Sequence, residues 1–190
     1  MAGFSSERRF ASIGSGQYVM GESLWSKDLI FRDCLTDSSS LFSKAQPGLR
    51  RLDFLTACLS QAREATAEMP QYARAWLVAA AVDMELQHPE AFLADLAMAT
   101  KAAPSVQWLA ERRSELAERH LAVLDAEALA NLDADTLVMM QSDVGRRALA
   151  KRYFQRPAIR GRLQSVIAKA PADAQTDFVA KFKQIAQQTR

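Results

Sequence analysis

The sequence predicts an all-α protein. Helix-forming residues such as Ala, Leu, Gln, Arg and Glu are abundant, whereas the 190 residues include only 7 Gly and 6 Pro. The chain contains no run of alternating β-branched or aromatic residues and no Asn-Gly or Asp-Gly hairpin turn, so strand signals are nearly absent. Apolar residues make up 49% of the chain and charged residues 24%, which is typical of a globular protein with its own core.

The first half of the chain begins with a segment that has no helical pattern. Residues 1–23 are rich in Ser and Gly, which predicts a flexible N-terminal arm. A helix is expected from Leu24 to Cys34 or Leu35, and the turn-forming stretch DSSSLFSKAQPG ends it. The next helix is expected over about 49–68. Its apolar face consists of four residues at helical spacing, Leu52, Leu55, Leu59 and Ala62.

Residues 70–104 contain two more predicted helices, over 72–86 and 90–102. The dipeptide His88-Pro89 separates them, because proline disfavours helix in the preceding residue and suits the first turn of a new one. A short connection between amphipathic helices predicts an antiparallel pair. Four further helices are expected at about 105–122, 133–153, 157–169 and 173–187, with Asp133 and Asp173 as N-caps. The chain therefore has roughly eight predicted helices in pairs.

The stretch from Trp76 to Pro104 resembles a tetratricopeptide repeat. Pro70 and Pro104 lie 34 residues apart, which is the period of that family. The family's aromatic, small and packing positions are matched by Trp76, Ala80, Leu96 and Ala99. Phe92 departs from the pattern, since the family usually has alanine there, and beyond Pro104 the match degrades. The resemblance implies antiparallel helical hairpins stacked as a short superhelix that binds a peptide or protein.

The resemblance also implies a domain organisation and a binding groove. Residues 24–190 are expected to form a single helical-repeat domain, which is tetratricopeptide-like over 24–104 and made of divergent helical hairpins over 105–190. In this family the outward face of each first helix lines the groove. That face implies Arg74, Met84 and Glu85 as binding residues, whereas Leu77 and Ala81 beside them are expected to pack against the next unit.

A looser similarity concerns the stretch AAPSVQWLAERRSELAERH. It is similar to uncharacterised bacterial repeat proteins from surface-polysaccharide gene contexts. The two resemblances give two functional expectations. The first is an adaptor or assembly protein of a larger bacterial complex, and the alternative is an accessory protein of envelope polysaccharide production or export.

Residue patterns that support catalysis or cofactor binding are missing from the sequence. Neither His88 nor His120 has a second His or Cys one helical turn away, which argues against a zinc site. The chain has no Gly-rich phosphate loop after a strand and no serine-nucleophile motif. Asp133 and Asp135 lie at a predicted helix start, where capping explains them. We therefore expect a non-enzymatic protein without a metal or cofactor.

Charge is segregated in the second half of the chain. Residues 111–143 contain eight acids and three bases, whereas residues 144–170 contain eight bases and no acid. Acids and bases of neighbouring helices could pair with each other. Alternatively, the bases could bind an anionic partner such as an acidic protein, a phospholipid headgroup or a charged glycan. Nucleic acid ranks lowest, because the net charge is only +2 and no recognition motif is present. The candidate binding residues are Arg146, Arg147, Lys151, Arg152, Arg156, Arg160 and Arg162.

The cysteines and the apolar segments bear on the compartment. Cys34 and Cys58 are interpreted as two buried thiols or, alternatively, as a disulfide between neighbouring antiparallel helices, which would indicate an oxidising compartment. No apolar run is long enough to span a membrane, and the N-terminus is not a complete signal peptide. We expect a cytoplasmic protein, with a periplasmic or membrane-associated location as the alternative if an upstream anchor has been removed.

Overall fold

The computed structural model describes residues 6–18, 21 and 23–188, and these residues form helices and no strand. The all-α class is therefore confirmed. The helices of this part of the chain are α1 (Ser6–Gly14), α2 (Leu24–Asp37), α3 (Leu41–Lys44), α4 (Gly48–Glu68), α5 (Ala73–Glu85), α6 (Pro89–Ala102), α7 (Gln107–Arg119), α8 (Ala126–Met140), α9 (Asp143–Gln155), α10 (Arg160–Ile167) and α11 (Ala172–Gln188). Two 3-10 turns accompany them, at Leu121–Val123 and Pro157–Ile159.

The chain divides into two compact units, residues 1–102 (unit 1) and residues 103–190 (unit 2). This division lies two residues before the boundary that the repeat resemblance placed after residue 104. The stacking of hairpins into a superhelix, and the single repeat domain over 24–190, stay predictions.

Helix α1 corrects the expectation of a flexible arm over residues 1–23. Phe10 and Ile13 of α1 are fully buried in the core of unit 1. The Phe10 ring stacks on the ring of Phe54 in α4 at a centroid distance of 4.0 Å, and the ring of Phe42 meets it edge-on at 5.5 Å. Tertiary contacts stabilise this short helix, because its Phe10 and Ile13 are buried in a core that includes aromatic rings about 40 residues away in the sequence. Residues 1–5, 19, 20 and 22 of the predicted arm lie outside the described residues.

A disulfide between Cys34 and Cys58 joins α2 to α4. Both cysteines are fully buried, and they lie in the same core as Phe31 and Phe54. The disulfide interpretation is therefore confirmed, and the interpretation of Cys34 and Cys58 as two buried free thiols is wrong. The predicted pairing of neighbouring helices explains it, since α2 and α4 pack side by side in unit 1.

Helices α5 and α6 pack against each other across the turn that the His88-Pro89 pair predicted. Helix α5 is rich in alanine and buries Leu77 and Val78 together with most of its alanines, so its backbone can approach its neighbours closely. Trp76 is only half-buried, and its indole N–H donates a hydrogen bond to the backbone carbonyl of Pro70 at 2.8 Å. The tryptophan therefore covers the start of α5 rather than filling the centre of the core.

Unit 2 is built from α7, α8, α9 and α11, with α10 packed on α8. The single helix predicted over 133–153 is in fact two, because Ser142 caps α9 by accepting a hydrogen bond from the Gly145 N–H. Gly145 allows the chain to turn tightly, since a Cβ there would lie 2.2 Å from the Met139 carbonyl oxygen. The N-cap of α8 is Asp125 rather than Asp133. None of the helices in the described residues is long and apolar enough to cross a membrane.

Candidate partner-binding surfaces

The seven predicted basic residues lie on α9, on α10 and in the turn between them, which is where the sequence placed them. Their solvent exposure determines how many of these residues a partner could contact. Arg152 is buried, Arg147 and Lys151 are exposed, and the other four are partly buried. The cluster is therefore not one continuous exposed surface.

Arg152 and Arg156 both bind the carboxylate of Glu118 in α7. Arg152 donates to Glu118 Oε1 and to Ser114 Oγ, each at 3.0 Å, and Arg156 donates to Glu118 Oε2 at 3.1 Å. Glu118 is itself buried, and this burial raises the pKa of its carboxyl group against the opposing influence of the two arginines. These two bases therefore compensate an acid inside unit 2.

Arg146 and Arg160 bind the carbonyl oxygens at helix C-termini. Arg160 donates to the carbonyls of Tyr153 and Phe154 at 2.8 and 2.9 Å, near the end of α9. Arg146 donates to the Met140 carbonyl at the end of α8 at 2.9 Å and also pairs with Asp177 of α11. Both guanidinium groups satisfy carbonyls that have no partner within the helix, at the helix end where a cation is favourable.

Arg162 links α10 to α8 within unit 2. One of its terminal nitrogens lies 2.6 Å from the carbonyl oxygen of Leu129 and 2.6 Å from Asp133 Oδ1. Asp133, which the sequence predicted as an N-cap, is thus an ion-pair partner in the middle of α8. The pairing of acids from 111–143 with bases from 144–170, one of the alternatives drawn from the charge pattern, is what the structure shows for Arg152, Arg156 and Arg162.

Arg147 and Lys151 remain as the exposed members of the predicted cluster. Arg147 lies 4.0 Å from Asp143, one turn earlier on α9, and both side chains are mostly in solvent. Lys151 forms no ion pair with any of the residues that the structure describes. A partner that recognises this segment by charge would meet these two residues first. Partner binding by the cluster stays a prediction.

The three predicted groove residues have different environments. Arg74 lies against Asp28 of α2, with its Nη1 atom 3.2 Å from the Asp28 carbonyl oxygen, and Glu85 pairs with Arg51 of α4. Met84 is half-buried. Arg74 and Glu85 therefore tie α5 to its neighbours within unit 1. Leu77 and Ala81 are buried, and their packing against a next repeat unit stays a prediction.

Three leucines at the starts of α3 and α4 are exposed, and no sequence pattern identified them as binding residues. Leu41 at the start of α3 is 87% exposed and Leu49 at the start of α4 is 79% exposed, while Leu52 lies one turn after Leu49. We refer to these three leucines as the α3–α4 corner. Leu52 was predicted to belong to the buried face of its helix but is about half exposed. A usable signal was present for Leu41, which lies inside the predicted turn-forming stretch DSSSLFSKAQPG, because such connecting segments run over the protein surface.

A second apolar site lies at the start of α2. Trp25 is 73% exposed, and Leu24 beside it is also exposed. The Lys27–Glu68 ion pair places this end of α2 next to the end of α4. Because Leu49 lies at the beginning of α4 and that helix has 21 residues, the two apolar sites are at opposite ends of α4.

Four ionisable residues of unit 1 form a cluster that we call the Arg63 clamp, made of Arg63, Asp83, Asp95 and His88. Arg63 of α4 binds both oxygens of Asp95 in α6, at 2.6 and 2.7 Å, and Asp83 in α5 at 2.7 Å. His88 Nδ1 lies 3.1 Å from the other Asp83 oxygen. No sequence pattern marks these aspartates as a site, because the contacts join residues 20 and 32 positions apart.

Neither metal-ligand geometry in the described residues nor similarity to known proteins assigns a function to the chain. Within the part of the chain that the structure describes, no group of three or more His, Cys, Asp or Glu residues is arranged to hold a metal ion. The chain matches no protein-family model, no curated protein and no solved structure. The resemblance to tetratricopeptide repeats and the bacterial context therefore stay predictions.

Proposed function

We propose that the chain is a non-enzymatic adaptor that holds a protein partner on the α3–α4 corner. The observation that carries this proposal is the exposure of Leu41 and Leu49, which are both more than three-quarters in solvent. Full burial of a leucine side chain is worth about 1.5–3 kcal/mol. A partner that covers this corner would therefore gain the free energy of burying these leucine side chains, which the chain alone leaves in solvent.

The surroundings of the corner suit a protein rather than a small molecule. Leu49 and Leu52 lie three residues apart on α4 and thus share a face, with Leu41 eight residues before Leu49 on the other side of the turn. Lys44 of α3 is exposed, and Arg50, the residue after Leu49, donates a hydrogen bond to Gln46 and pairs with Glu7. An apolar centre with a polar and charged rim is the usual composition of a protein interface.

The corner takes the role that the repeat resemblance gave to the groove. Arg74 and Glu85 already bind Asp28 and Arg51, so a partner would have to break these contacts before it could use them. The leucines of the corner need no such exchange. Arg147 and Lys151 in unit 2 are proposed as a second contact point for a partner with acidic residues.

The second candidate function is an accessory role in bacterial envelope polysaccharide production or export. The disulfide between Cys34 and Cys58 supports it, because disulfides persist in oxidising compartments and are rare in the cytosol. The two functions are compatible, since an adaptor for protein partners can act in such a compartment. They differ in where the chain should be found in its cell.

The proposal is tested with three variants of the full chain. The first changes Leu41, Leu49 and Leu52 to Gln, which keeps helix propensity and removes the apolar surface. The second, Val179→Gln, changes an exposed apolar residue of α11, and the third changes Arg147 and Lys151 to Gln. Proteins cross-linked to each variant in native cells are then quantified by mass spectrometry.

We expect at least one protein to be depleted about tenfold or more with the leucine variant, which corresponds to about 1.4 kcal/mol of lost affinity. The same protein should persist with Val179→Gln. Circular dichroism should be unchanged, because the replaced side chains are exposed. An unchanged protein set would contradict the proposal, and so would equal depletion by the Val179 control. Depletion with the Arg147/Lys151 variant alone would move the binding site to unit 2.

A further inference from the structure

The Arg63 clamp holds more negative than positive charge in its buried part. The carboxylates of Asp83 and Asp95 are 3% and 4% exposed, and both face the single guanidinium group of Arg63. One arginine balances one carboxylate. A second buried carboxylate without a balancing cation is costly, because two like charges close together disfavour the ionised form of one of them.

The turn between α5 and α6 brings a second basic group to the same place. Gln87 adopts a left-handed backbone conformation with φ of 66°, and the His88 N–H then donates to the Asp83 carbonyl at 2.9 Å. This geometry holds the His88 ring against the Asp83 carboxylate, while the outer part of the ring is in solvent. The clamp therefore has a buried acidic centre and an exposed histidine at its edge.

We propose that the Arg63 clamp is a pH-sensitive element, in which the Asp83–Asp95 carboxylate pair takes up one proton in mildly acidic solution and then holds α4, α5 and α6 together more tightly than at neutral pH. The proton removes the charge that Arg63 leaves unbalanced. All three helices contribute a member of the clamp, so the change in charge acts on the packing of three elements of unit 1 at once.

The direction of the effect follows from the pKa of Asp95. Burial raises the pKa of this carboxyl group from its ordinary value of 3.8 to about 6, and the Asp83 charge adds to the rise while Arg63 opposes it. Between these two values the folded protein binds a proton that the unfolded chain does not. The contribution of the clamp to the free energy of unfolding therefore increases as the pH falls from about 7 towards 4.

Among the residues that the structure describes, the charged groups that act on Asp95 are Arg63 and Asp83. Arg63 approaches from α4 and Asp83 from α5, and His88 stands behind Asp83 in the turn. The next pair on α4 and α5, Arg51 with Glu85, is separate from the clamp and internally balanced. The proton balance of the clamp is thus set by its own four side chains.

Urea unfolding of the full chain between pH 4.5 and 7.5 measures the proton uptake, since the slope of unfolding free energy against pH counts protons. We compare the chain with Asp95→Asn, which keeps the shape and removes the titrating group. Glu64→Gln on α4 is the control, because Glu64 is exposed. The unchanged chain and the control should take up about one proton more on folding than Asp95→Asn does.

Two further measurements locate the proton. His88→Gln should keep the uptake, since the proton resides on the carboxylate pair. Carbon-13 NMR of the unchanged chain should show a side-chain carboxyl of Asp83 or Asp95 titrating well above the ordinary aspartate range. The proposal is wrong if Asp95→Asn retains the full uptake, if His88→Gln abolishes it, or if both carboxyl groups titrate near the ordinary value. The NMR measurement needs no variant and so decides the matter even if Asp95→Asn fails to fold.

Discussion

Units 1 and 2 are both helical, but they stabilise their cores by different means. Unit 1 has a disulfide between α2 and α4 and a stack of Phe10 on Phe54, and its Arg63 ion pairs reach the surface. Unit 2 contains no cysteine and places ion pairs inside its core. The difference shows how a chain with a net charge of only +2 can contain two very different electrostatic environments.

The interior of unit 2 depends on matched charges. Arg113 of α7 and Asp135 of α8 are both almost completely buried, and Arg113 Nε lies 2.9 Å from Asp135 Oδ2. Arg113 also donates to the carbonyl oxygen of Ala103 at 3.1 Å. Burial raises the pKa of Asp135 while Arg113 opposes that rise. A buried pair of this kind adds little net stability as a whole, yet the loss of one partner is severe.

The largest expected effect is therefore the removal of one charge from the unit 2 core. Arg113→Ala should destabilise the protein by about 3–5 kcal/mol, because it leaves the buried Asp135 carboxylate without the cation that binds it. Urea unfolding followed by circular dichroism measures the loss. Arg147→Ala, on the exposed face of α9, is the matched arginine control and should change stability little.

A double variant separates the charge effect from simple loss of packing. Arg113→Met with Asp135→Leu removes both charges and keeps much of the volume, so it should recover most of the stability that Arg113→Ala loses. A loss below about 1 kcal/mol for Arg113→Ala would be the size of an exposed pair. In that case the ion pairs in the core of unit 2 would not distinguish its stabilisation from that of unit 1.

The next effect concerns the disulfide of unit 1. Cys34→Ala with Cys58→Ala should cost about 3 kcal/mol, as expected for a crosslink between residues 24 positions apart. Hydrogen exchange should show the loss of protection in α2 and α4, while the helices of unit 2 keep theirs.

Thiol titration checks the premise of that experiment. The unchanged chain, unfolded without reductant, should contain no free thiol among its two cysteines. Two free thiols would mean that the crosslink does not form where the protein was made. Unit 1 would then depend on apolar packing and its ion pairs, and its difference from unit 2 would be smaller than described.

The comparison also shows which features the sequence could predict. Local signals were sufficient for the helix pair α5 and α6, since His88-Pro89 ends one helix and begins the next. They failed for α1, whose Phe10 and Ile13 acquire a core only when Phe54 and Phe42 arrive from distant parts of the chain. Segregated charge predicted that acids and bases could pair. It could not predict that Arg152 would be buried against Glu118 while Lys151, the preceding residue, faces solvent.

Predictions of the candidate surfaces were limited by the same non-local contacts. Helical spacing assigned Leu52 to the buried face together with Leu55, but only the second is buried. The helices packed against α4 determine which side of it faces the core, and some of their residues, such as Phe10 against Phe54, lie more than 40 positions away in the sequence. The Arg63 clamp was missed for this reason as well, because its members are unremarkable charged residues until three helices bring them together.

The smallest expected effect tests the turn that supports the clamp. Gln87 has a positive φ, which costs a residue with a side chain about 1–2 kcal/mol and costs glycine almost nothing. Gln87→Gly should therefore stabilise the protein by about 0.5–1 kcal/mol, once the greater freedom of glycine in the unfolded chain is subtracted.

Gln87→Ala is the control, since alanine keeps the unfavourable backbone conformation and removes only the exposed end of the side chain. Differential unfolding in urea should place Gln87→Gly above the unchanged chain and Gln87→Ala at or slightly below it. If both variants change stability equally, the turn is not strained. The short distance between His88 and Asp83 would then result from the charged contacts of the clamp. Such contacts would stabilise the α5–α6 turn of unit 1, as they do in the core of unit 2.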